Sequence, residues 1–83
     1  MASFSREDTH AKIIDIIAEK LSVDKATIAD TAQLQDLGAD SLDLVEMIMK
    51  FEEQFGMTIN DEDAEKLHTV DEVVAYVQER RTK

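Results

Sequence analysis

Apolar residues recur along the chain at intervals of three and four, with no sustained alternation of β-branched residues, so helices are expected throughout. From about Ser5 to Leu21, Ile13, Ile16, Ile17 and Leu21 share one stripe with Ile14 on its flank. Ser5 is placed to cap this helix, and Glu7 and Asp8 sit near the positive end of its dipole. His10 falls beside the stripe as a half-buried packing residue. A long connection, Ser22 to Ala39, carries Val23, Ile28, Leu34 and Leu37 as apolar anchors. Asp24 and Asp30 suggest local turns in it, and a helical turn fits Lys25 to Ile28. The second helix runs from Ser41 to about Phe55 and ends at Gly56, a left-handed cap. A short third helix fits Asp61 to Lys66, with Asn60 as its cap. The fourth opens on a capping box, Thr69 and Glu72, ahead of Val70, Val73, Val74 and Val77 on one face. Arg80, Arg81 and Lys83 suit the negative pole at its end. The expected fold is all-α: a small antiparallel four-helix bundle with a long first loop and a short third helix, one domain over residues 1–83.

The second helix departs from a simple core helix. Leu44, Met47, Ile48, Phe51 and Phe55 form an ordinary inward face, yet Leu42, Val45 and Met49 recur at i, i+3 and i+7 roughly opposite. So small a bundle cannot easily bury both stripes. An apolar stripe rimmed by acids suits a partner's groove. The alternative folds Leu42 and Val45 under the long loop and leaves only Met49 outside.

Charge sharpens this picture. The chain carries 19 acids and 9 Lys and Arg, a net charge of −10. Between Asp40 and Lys66, nine acids face only Lys50 and Lys66, so this stretch holds −7 of that total. Such a field repels nucleic acid and anionic membranes and speeds the approach of proteins with basic patches. A merely solvated acidic surface is the plainer alternative. The chain has no cysteine, which removes disulfides, thiolate nucleophiles and thiolate metal sites. No stretch reads as a secretory signal or a membrane span, and a soluble cytoplasmic protein is expected.

Ser41 is the residue with candidate chemistry. Neither His10 nor His68 lies in a motif that would build a triad, and GADSLD is no nucleophile elbow. Catalysis by the chain itself is therefore not expected. As a cap Ser41 competes with Asp40, and either would serve. As an attachment point it would hold a phosphate ester against the free amides and positive dipole end of a helix. Simple phosphorylation fits the same geometry, opposed by Asp40 and Asp43.

LGADSLDLVEMIMKFEEQF, followed by INDEDAEKLHTVDEVVAYV, resembles the acyl carrier proteins of dissociated (type II) fatty acid synthesis from about Thr9 to Val77. The tripeptide DSL also occurs in peptidyl and polyketide carriers, whereas LGADSLD with the acidic DEDAEK segment is far more specific. The resemblance implies a 4′-phosphopantetheine arm on Ser41, transferred from coenzyme A by a phosphopantetheinyl transferase. Acyl groups would ride on its terminal sulfur as thioesters. It also implies that Leu42, Asp43, Val45, Glu46, Met49, Glu52 and Glu53 dock fatty acid synthesis enzymes, with Leu67 near the arm. Short acyl chains would retreat between Met47, Ile48, Phe51 and the other helices, and the carrier would be a monomer. Four positions depart from the family's pattern. Asn60 stands where proline is common, Lys50 adds a base to the recognition helix, Leu44 is bulkier than usual, and His68 replaces a common threonine. A carrier of a polyketide or other specialised acyl pathway is the nearest alternative. From another class, an acidic interaction protein binding divalent cations loosely at NDEDAEKL lacks the spaced ligands of an EF-hand loop.

Overall fold

The computed structural model describes residues 5–81, and Lys83 of the expected basic end lies outside them. Four helices, α1 (Arg6–Leu21), α2 (Ser41–Phe55), α3 (Asp61–Ala64) and α4 (Val70–Arg81), account for most of these residues. The capping chemistry acts where the sequence puts it. The Ser5 hydroxyl accepts from Asp8 N–H at 3.0 Å to open α1. Asn60 accepts from Asp63 N–H at 2.9 Å to open α3. Thr69 and Glu72 exchange bonds of 3.2 and 3.0 Å to open α4. Gly56 closes α2 at φ +62°, the left-handed conformation in which a side chain would be strained. Ser22 adopts the same conformation, φ +55°, at the end of α1, without a glycine to ease it.

The core is built from one face of each long helix. Ile13 and Ile17 of α1, Met47 and Phe51 of α2, and Val70, Val73, Val74 and Val77 of α4 are sealed from solvent. Helix α1 lies against both α2 and α4, so its buried arc is broader than one stripe and centres on Ile13, Ile17 and Ile14. Ile16 and Leu21 consequently sit at its margin, only partly buried. Thr9, the one fully buried polar residue described, is satisfied there. Its hydroxyl bonds to Gln78, lies 3.3 Å from the Ser5 carbonyl, and accepts from Arg81 at 2.8 Å.

The long connection is ordered by main-chain bonds. It contains a 3-10 turn at Lys25–Thr27, the turn expected from the sequence, and a second at Leu34–Leu37. Leu34 N–H donates to the His68 carbonyl at 2.9 Å, while Val70 and Asp71 N–H donate to Ala32 and Asp30 at 3.2 and 2.9 Å. The first two amides of α4, which no helix can satisfy internally, are thus spent on the loop. Ile28 and Leu34 are buried as anchors, and Val23 and Leu37 are half-buried. Helix α3 is shorter than the sequence suggests, ending at Ala64. Lys66 and Leu67 N–H reach back only three residues, to Asp63 and Ala64, so the chain tightens into turns.

Candidate attachment and docking site

The N-terminus of α2 resolves the competition between Asp40 and Ser41. Asp40 is the cap: its carboxylate accepts from Asp43 N–H at 2.8 Å, and Asp43 returns the bond to Asp40 N–H at 3.3 Å. Ser41 is the first helical residue and is exposed, and its hydroxyl makes no hydrogen bond among the described residues. The amides of Ser41 and Leu42 have no acceptor within the helix, and they add to the positive end of its dipole. The Ser41 hydroxyl is therefore open to esterification, and a phosphate on it would lie beside two amides that have no acceptor within the helix. The residues present fit a phosphopantetheine group.

From this terminus an apolar ridge runs down the outer face of α2. Leu42, Val45 and Met49 are 65%, 56% and 55% exposed, and they are the exposed large hydrophobic side chains among the described residues. The loop does not cover Leu42 and Val45, so the second stripe predicted from the sequence stands free. The acids around it are less free than their spacing suggests. Asp43 is committed to the capping box. Glu46 receives a 2.6 Å bond from the Lys20 ammonium of α1. Glu52 accepts from Ile59 N–H at 2.8 Å and so holds the turn after α2. Glu53 lies exposed, with Lys50 at 3.9 Å.

Leu67 differs from the ridge residues. It is 8% exposed and belongs to the core, because the turn after α3 carries it inward. It lines a small cleft with Gln33, Leu34, Gln35, Leu44 and His68, of about 20 Å³, room for one water. Leu67, expected near the arm, thus stands on the wall of this cleft. Met47 and Phe51 fill the interior behind it, and Leu44 supplies part of the cleft wall. An acyl chain entering this region would have to part the helices.

Neither histidine lies on α2. His10 is half-buried as expected, and its Nε2 also pairs with Asp30 at 2.6 Å, tying α1 to the loop. His68 is exposed, and its N–H donates to Glu72 at 3.1 Å. Among the described residues, no three His, Asp or Glu side chains converge in a way that could hold a metal ion. No helix there is long and apolar enough to cross a membrane.

Comparison with known proteins decides the family. Residues 11–77 match the family described as "Phosphopantetheine attachment site". The chain is 47% identical over 77 residues to an acyl carrier protein of Thermotoga maritima, covering 92% of this chain and 95% of that one. It belongs to the acyl carrier protein family. Against an acyl carrier protein of Rubrobacter xylanophilus it is 53% identical over 78 residues, covering 93% and 96%. A solution structure described as an acyl carrier protein from Anaplasma phagocytophilum superposes with a TM-score of 0.84 at 34% identity, covering 96% of both chains. The HMG-ACPI domain from the CurA module of Lyngbya majuscula also reaches 0.84, at 19% identity over 96% of this chain and 81% of that one. That likeness shows the shared fold alone. Membership makes the chain an acyl carrier whose prosthetic group is a covalently attached 4′-phosphopantetheine.

Proposed function

We propose that Ser41 bears the phosphopantetheine and that this carrier serves fatty acid synthesis, presenting acyl groups to successive enzymes through the outer face of α2. The observation that carries the reading is the division of labour at the start of α2. Asp40 does the capping, and the neighbouring hydroxyl is left exposed and unbonded. When bound, the group supplies the thiol that a chain without cysteine lacks. The chain acts as a carrier, and among the described residues no base is hydrogen-bonded to Ser41 to activate it.

Docking falls to Leu42, Val45 and Met49 as the apolar ridge and to Glu46 and Glu53 as its charged rim. Asp43 and Glu52 contribute through the field of carboxylates that are already hydrogen-bonded. The partners are the phosphopantetheinyl transferase and the synthesis enzymes, recognised by basic patches that complement the acidic helix. The small interface suits brief encounters by a cytoplasmic monomer.

The test is intact mass after incubation with coenzyme A and a broad-specificity phosphopantetheinyl transferase. The chain should gain one phosphopantetheine and one titratable thiol, and Ser41→Ala should gain neither. Loading of Ser41→Ala, or none of the unaltered chain, would overturn the assignment.

A further inference from the structure

The docking helix is not bare: one of its acids is already held from inside the molecule. Lys20 sits near the end of α1, and its Nζ donates to Glu46 Oε2 at 2.6 Å across the α1–α2 interface. The pair is half-sheltered, with the lysine side chain 27% exposed and the glutamate 43%. The bond to Glu46 holds the Lys20 ammonium above its ordinary 10.5, aided by the fields of Glu46, Asp43 and Asp40 and opposed by partial burial. Lys20 thus stands in the joint field of the acids that flank Ser41 and the upper ridge. It also opens onto a groove of about 580 Å³ between α1 and α2, lined by Ile16, Glu19, Lys20, Lys50, Glu53 and Gln54. A displaced ammonium has solvent and the Glu19 and Glu53 carboxylates of that groove to move into.

We propose that Lys20 is a built-in competitor for the docking helix, holding the Glu46 carboxylate that a partner's basic side chain would otherwise take. Docking at this point is then an exchange of one cation for another and not the capture of a free acid. The exchange weakens each encounter and penalises partners whose basic group cannot reach Glu46. This makes Lys20 a specificity-determining residue that touches neither the arm nor the acyl chain. The inference rests on the reading of α2 as the docking surface.

The experiment measures loading kinetics with coenzyme A and the phosphopantetheinyl transferase, varying the apo carrier. Lys20→Met removes the ammonium and keeps most of the stem. It should lower KM for the carrier by about two- to fivefold with kcat unchanged, as expected for releasing a partly exposed pair. Its KM should also depend more steeply on salt. Lys20→Arg should behave as the unaltered chain. In a Glu46→Gln background, Lys20→Met should have no effect. Lys25→Met, which breaks the exposed pair with Asp15, supplies a control with the same change in net charge. An unchanged or raised KM for Lys20→Met, or an equal fall for Lys25→Met, overturns the proposal. Should Lys20→Met not fold, Lys20→Gln is held to the same outcomes. Leu42→Ala and Glu46→Gln separate the two claims. If both load with unaltered KM, the docking surface itself is misassigned. If they raise KM while Lys20→Met does nothing, only the competitor fails.

Discussion

At the start of α2, two neighbouring oxygen-bearing side chains have been given different work. Asp40 has extended backbone and a carboxylate that reaches the third helical amide, while Ser41 has already entered the helix and points its hydroxyl outward. Substitution should separate the two roles. Asp40→Ala removes the cap and should cost about 1 kcal/mol. Ser41→Ala should change stability by less than about 0.5 kcal/mol, since an exposed hydroxyl without a partner is lost. Urea unfolding of the apo forms measures both, and a comparable cost for Ser41→Ala would show that the serine, too, has a structural bond. The sequence left this choice open because both residues are good caps. It was decided by which of them the Asp43 carboxylate can answer, a matter of backbone angle. The same limit hid Lys20: no spacing shows that a lysine 26 residues before Glu46 will lie 2.6 Å from it.

The elements show why most of the fold was readable and one part was not. Helices α1, α2 and α4 each bury a face set by a repeat of 3.6, and their N-termini carry side-chain caps, so residue types mark both. The loop's hydrogen bonds to the start of α4 join backbone N–H and carbonyl groups, which every residue has, and no side-chain pattern announces them. Helix α3 lies between these cases. It has a readable cap but no buried residue of its own, so its position depends on what grips it from outside. The grip is Asp63, which accepts from the Tyr76 hydroxyl at 2.7 Å and from Arg80 at 3.4 Å, with the Arg80 guanidinium 3.6 Å above the Tyr76 ring. Burial, and then the bond to Asp63, raise the Tyr76 phenol above its ordinary 10.0, so it stays a donor. Tyr76→Phe keeps the ring and deletes that donor, which should cost about 1 kcal/mol. Amide exchange at Ala64 and Glu65 should speed up more than exchange in α1 or α2. Equal acceleration throughout would mean that the bond supports the whole bundle and not the seating of α3.

For the whole molecule the question is how a chain of net charge −10 closes on itself. Arg6, Lys12 and Arg81 answer acids where α1 and α4 meet, while α2 and α3 carry a surplus of acids. Arg6 pairs with Asp71, Lys12 with Asp8 at 2.7 Å, and Arg81 with Asp8 at 3.1 Å. The Arg81 guanidinium also lies 4.8 Å from the Phe55 ring, which brings the end of α2 into the same clasp. The hydrogen bond from Lys12, then that from Arg81, hold the Asp8 carboxyl below its ordinary 3.8, outweighing partial burial. The native state therefore gives up this proton more readily than the unfolded chain. The stability Asp8 contributes is complete above pH 3.8 and disappears as the pH falls through the lower native value. Lowering the net charge of −10 acts in the opposite direction, since it relieves the self-repulsion of the whole chain. An acid titration of the unaltered chain alone would mix the two effects. A comparison with Asp8→Asn separates them, because both chains carry the same acidic surface. The variant should be less stable at pH 7, by a margin that holds down to near pH 4 and closes below it. Urea midpoints at each pH measure that margin, and one that persists at pH 2 would mean that Asp8 acts through its shape and hydrogen bonds and not through its charge.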